Sequence, residues 1–155
     1  LEEVILYKED LEDYLSILIE IVLLGKDSYL DKYIRLKNKF EKDIDYTMGN
    51  TLMNNRFYEL AIRQYESAIG KDKYKTENIV DLYFNVGYCY YKINNVEKSL
   101  DYFAKALENG YLENDIKEYL QWIKSQTNNS KIKNTAYNLL NRFEDLKSKE
   151  KKSEA

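Results

Sequence analysis

The 155-residue sequence contains no proline, no histidine, a single cysteine and only five glycines. A β-rich domain of this length needs more turn residues, so the chain is expected to be almost entirely helical. Without histidine it lacks the usual general base and the commonest metal ligand. Cys89 stands alone, which excludes an internal disulfide or a zinc cluster and leaves the redox compartment open. The apolar run at residues 17–24 is interrupted by Glu20 and is far too short to span a bilayer. Charge has no dominant sign. The net charge is −3, and the lysines are interleaved with slightly more acids, so nothing draws this surface to nucleic acid. Lys147, Lys149, Lys151 and Lys152 come nearest to a basic patch, but Glu150 breaks it, and residues 149–155 read as a frayed, charged tail. The sequence opens on Leu1 with no signal sequence. It is read as a fragment or processed form, so cytoplasmic and bacterial periplasmic or envelope locations both stay open.

What is present is a globular balance of 44% hydrophobic and 33% charged residues, enough for one domain with a real core over residues 1–150. Sixteen tyrosines accompany many Asn, Ile and Lys residues, a bias that fits an AT-rich coding sequence and lowers the weight of any single Tyr or Asn. Against that background one pattern stands out. Gly49, Glu59, Ala61 and Ala68 recur as Gly87, Glu97, Ser99 and Ala106, each pair 38 positions apart. At the same offset Met48 matches Val86, Leu52 matches Tyr90, Ile62 matches Leu100, Tyr65 matches Phe103 and Ile69 matches Leu107. Small residues where two helices cross, with bulky apolar residues around them, are how a stacked helical-hairpin array is written.

Helical periodicity divides the rest. Stripes run over 4–24 and 29–54, the latter one helix or two with a bend near Asp43, and then over 57–69, 78–93 and 96–108. Residues 70–77 form a charged loop. Asn114 is expected to cap a helix reaching about 127, and a final helix carries Ile132, Tyr137, Leu140, Phe143 and Leu146. The N-terminal helices (1–41) and the last two (114–148) should close the stack, with Trp122 and Phe143 read as capping core in preference to exposed anchors. Glu59 and Glu97, at the start of each second helix, complement the helix dipole and do not form a catalytic pair.

The repeated residues resemble the tetratricopeptide repeat over roughly residues 42–113. Tyr83, Val86, Gly87, Tyr90, Ser99, Phe103 and Ala106 match its pattern, and Met48, Gly49, Leu52, Ala61, Tyr65 and Ala68 match in the earlier copy, where Asp45 takes the first large position. The family spacing is 34 residues; four more lie in the 70–77 loop here, and the family's final proline is missing. The resemblance implies an all-α tetratricopeptide-like superhelix of antiparallel hairpins with flanking capping helices. It further implies a concave groove lined by the first helix of each pair. Carried over, the groove positions are Asp43, Tyr46, Asn50, Met53 and Asn54 in one copy, and Asp81, Phe84, Asn85, Tyr88, Tyr91 and Lys92 in the other. Asn50 and Asn85 could hold an extended peptide backbone, and the aromatics offer rigid amphipathic area, unless they pack against neighbouring helices. Asp43 and Asp81 favour a ligand with some positive charge, or cap helices. The family's carboxylate clamp is not expected, since Tyr46 occupies one of its basic positions and residues 115–122 hold no basic pair in the right place.

No phosphate loop, metal cluster or nucleophile–base pair is evident. The expectation is therefore a non-enzymatic module without cofactor or metal that binds a partner protein or peptide. The rival readings are a structural subunit of a stable hetero- or homo-oligomeric assembly, such as an envelope complex or a homodimer, and an enzyme whose active domain lies outside this sequence.

Overall fold

A computed structural model describes residue Ile21 and residues 44–70 and 78–154. They form six helices with no strand among the described residues: α1 (Ile44–Asn54), α2 (Tyr58–Ile69), α3 (Asn78–Lys92), α4 (Val96–Glu108), α5 (Asn114–Gln126) and α6 (Ser130–Glu154). The fold is all-α, as the missing proline and scarce glycine imply. The expected helices before residue 44 lie outside the described residues. The chain divides into two compact units, Leu1–Ala68 and Ile69–Ala155.

Within the first unit, α1 and α2 form a hairpin whose reversal is built by main-chain hydrogen bonds. Phe57 N–H donates to the Leu52 carbonyl at 2.8 Å and Arg56 N–H to that of Met53 at 2.9 Å, with Arg56 left-handed at φ 68°. This is the Schellman arrangement, which satisfies carbonyls that a helix end would otherwise leave bare. In the second unit α3 ends the same way. Asn95 N–H donates to Tyr90 at 2.9 Å, Asn94 N–H to Tyr91 at 3.1 Å, and Asn94 has φ 64°. Arg56 and Asn94 are again 38 apart, so the repeat extends into its turn. The second copy is better equipped, because Asn95 Oδ1 accepts from Lys98 N–H and caps α4. Gly110, at φ 97°, closes α4 by a third such turn.

The predicted helix crossing is present in both hairpins. A Cβ on Gly49 would stand 2.6 Å from Tyr65 Cε1, and one on Gly87 would stand 2.6 Å from Phe103 Cδ1. Glycine is therefore required where each ring presses against the facing helix. Ala61, Ala68, Ser99 and Ala106 are fully buried beside these contacts. The Ser99 hydroxyl satisfies itself by donating to the Gly87 carbonyl at 2.7 Å.

In the second unit α3 packs on α4, α5 on α6, and α6 also on α4. Their shared core holds Phe84, Phe103, Leu107, Ile116, Leu120 and Phe143. Each such side chain contributes about 1.5–3 kcal/mol by leaving water. Ion pairs at the surface, Arg142–Glu108 at 3.0 Å and Lys117–Glu144 at 2.7 Å, add little because both are open to solvent.

Three sequence expectations are corrected. Asn114 is the first residue of α5 and not its cap; Glu113 takes that place in extended backbone, with no side-chain cap bond. Trp122 is 52% exposed and not part of the capping core, whereas Phe143 is buried. Helix α6 continues to Glu154, through the residues expected to fray. Its last turns are rich in good helix formers, and Lys151 and Lys152 sit at the C-terminal end, where positive charge complements the dipole.

Candidate aromatic binding face

Helix α3 presents Asp81, Asn85, Tyr88 and Lys92 along one stripe, spaced at three and four residues. The same spacing recurs in α5 at an offset of 34: Asp115, Tyr119, Trp122 and Gln126. The buried side repeats too, with Leu82, Val86 and Cys89 matched by Ile116, Leu120 and Ile123, all in the interior. Helix α5 is therefore laid out like α3. Gln121 stands where Gly87 does, which removes the small-residue mark by which the repeat is recognised.

The two stripes meet through Tyr119. Its ring centroid lies 5.5 Å from Tyr88, 5.2 Å from Tyr91 and 5.7 Å from Trp122, in tilted or edge-on geometries favoured by aromatic quadrupoles. Lys92 Nζ lies 5.6 Å over the Tyr88 ring. Tyr88, Tyr91 and Tyr119 are half-buried and leave Trp122 as the most open aromatic of the strip.

Beyond the strip, where α3 and α5 end, a cavity of about 560 Å³ lies between Tyr91, Lys92 and Asn94 on one side and Ile123, Gln126 and Asn128 on the other. This is within the ordinary size range of ligand sites. The amide side chains of Asn94, Gln126 and Asn128 make no hydrogen bond to other described residues, and Lys92 has no carboxylate partner among them. At the opposite end of the strip the charge is negative. The Tyr111 hydroxyl donates to Asp115 at 3.0 Å, and burial, followed by the charges of Asp115, Asp81 and Glu113, pushes its pKa up.

The residues assigned to a groove from the sequence are not all surface groups. Phe84 is a correction: it is buried, stacked on Tyr111 with centroids 4.5 Å apart and rings 6° from parallel. Asn50 is anchored inside its own hairpin, where its side-chain carbonyl accepts from the Tyr65 hydroxyl. Tyr65 is fully buried, so that bond satisfies a group that would otherwise be costly. Met53 Sδ lies 3.8 Å from the same hydroxyl, and Tyr46 lies 6.3 Å from the Tyr65 ring. Asn54 and Asp81 are exposed, Asn85 is half-buried, and Asp43 falls outside the described residues. Tyr88, Tyr91 and Lys92 come together as one surface in the second unit. Tyr119, Gln126 and Asn128 are not marked by the sequence reading, and Trp122 is placed there in the core in preference to an exposed anchor; the 34-residue match of Tyr88 with Trp122 is the available signal.

Cys89 contributes no reactive group. Burial pushes its thiol from 9.0 up to about 12. Among the described residues no group of three or more His, Cys, Asp or Glu is placed to hold a metal ion, and no helix is long and apolar enough to cross a membrane.

No family model matches the chain, and no solved structure matches it. Over 87 residues it is 31% identical to a chloroplastic protein of Arabidopsis thaliana, an alignment covering 56% of this chain. The chain spans about a quarter of that protein, 26% of its length.

Proposed function

We propose that the chain is a non-enzymatic protein-interaction module of the tetratricopeptide-like kind, which binds a segment of a partner protein on the face formed by α3 and α5. The observation that carries this reading is Trp122, a large aromatic held half in solvent against Tyr119, which itself packs on Tyr88 and Tyr91. A rigid, pre-positioned aromatic loses little conformational freedom on binding and is the commonest kind of interface anchor. The duplicated stripe on α3 and α5 supports an extended partner, because it offers similar contacts at regular intervals.

Affinity capture from extract of the native cell tests the reading, with the unaltered chain and the Trp122→Ala and Tyr88→Ala chains as bait. A protein retained by the first and lost by both variants, at unchanged helicity, is the expected result. Equal retention by all three chains would overturn the assignment of this face.

A further inference from the structure

Lys92 stands between two surfaces. Its Nζ lies 5.6 Å over Tyr88 at the end of the aromatic strip, and the same side chain lines the cavity beyond, where it is the one cation among the described residues. Across the cavity it faces only uncharged groups, among them Gln126 and Asn128, with Asn94 beside it. Each amide both donates and accepts, so together they match a peptide main chain. The carboxylates of this face collect at its other end, around Tyr111.

We propose that this cavity takes the side-chain carboxylate of an internal Asp or Glu in an extended partner segment. Lys92 pairs with the acid, the amides of Asn94, Gln126 and Asn128 hold the main chain, and an apolar or aromatic side chain of the segment lies on Trp122. This deepens the interaction-surface reading and rests on it. An internal acid fits better than a chain terminus because Lys92 has binding surface on both sides, the aromatic strip on one and the amide-lined cavity on the other. A carboxylate held there therefore has chain running both ways. The acidic end adds a second selection. Residues of the segment over Asp81 and Asp115 must be neutral or basic, so a uniformly acidic segment is repelled.

The test is selection of a phage-displayed library of short random peptides on the whole chain, followed by titration of synthetic binders. Trp122 is the only tryptophan, so its emission reports occupancy directly. The expected binders carry one Asp or Glu near an apolar or aromatic residue. Changing that acid to its amide weakens binding at least about tenfold, the size of a charge-assisted hydrogen bond. Lys92→Glu produces the same loss and, in a fresh selection, yields Lys or Arg at that position. Lys131→Glu, at another exposed lysine, changes nothing, and amidating the peptide C-terminus leaves binding intact. The inference is overturned if binders are lost with Trp122→Ala but tolerate Lys92→Glu, if they are enriched in Lys or Arg on the unaltered chain, or if only C-terminal amidation abolishes binding. In those cases the interaction surface stands and the internal carboxylate does not. Binders indifferent to Trp122→Ala, Tyr88→Ala and Lys92→Glu alike, or none at all, would overturn both.

Discussion

Gly87→Ala sets two opposing effects against each other, and their sizes can be compared. In an exposed helix interior, replacing Gly by Ala stabilises by about 1 kcal/mol, because glycine has more backbone freedom to lose. At Gly87 the added methyl would stand 2.6 Å from Cδ1 and 2.7 Å from Cε1 of Phe103. That ring cannot swing aside. It is fully buried, with Phe84 stacked at 5.6 Å and Tyr119 at 6.2 Å. Overpacking a site of this kind costs about 1–3 kcal/mol. Subtracting the propensity gain leaves a net loss of up to about 2 kcal/mol, and Gly87→Leu should lose more. Urea unfolding followed by helical circular dichroism measures this as a lower midpoint at constant slope. A partner substitution makes the test specific. Phe103→Leu gives the methyl room, so the double variant should be more stable than the sum of the two single losses by about 1 kcal/mol. A Gly87→Ala chain more stable than the original by about 1 kcal/mol, the free-helix value, would refute the crossing.

Gly110→Ala should also destabilise, by about 1 kcal/mol, through backbone strain alone, since φ is 97° there and no heavy atom lies within 4 Å; a neutral result by urea unfolding would contradict the turn. For Cys89, the unfolded thiol ionises near 9.0 and the folded thiol only at about 12. Its contribution is intact below the lower value and is lost as pH rises between them, so urea midpoints of the original chain should fall more over that range than those of Cys89→Val. Truncation after Lys147 removes turns of α6 in which the side chains of residues 148–153 are exposed, so it should reduce the helical signal while leaving the melting temperature nearly unchanged. Asn50→Ala, which leaves the buried Tyr65 hydroxyl without that partner, should cost about 1–3 kcal/mol by urea unfolding of the hairpin.

The elements that could be read from the sequence are those whose cause is local. The bounds of α4 follow from Asn95 before it and Gly110 after it, and the crossing follows from Gly49 and Gly87 recurring with Tyr65 and Phe103. What could not be read depends on partners distant in sequence. Phe84 has the spacing of a groove residue, but Tyr111, supplied by the segment after α4, covers it. Trp122 looks like core by size alone, and only the packing of Ile116, Leu120 and Ile123 turns it outward. The layout that α5 shares with α3 is obscured because Gln121 replaces the glycine.

The most direct test of the aromatic face is a crosslinking comparison. A photoreactive side chain is placed at Trp122 in one chain and at Asn138, exposed on α6, in another, and each is irradiated with the partner that affinity capture retains. The partner is predicted to crosslink from position 122 and not from 138. Crosslinking from 138 alone would place the partner on the terminal helix, contradict the α3–α5 face, and favour a structural subunit docked through its outer surface.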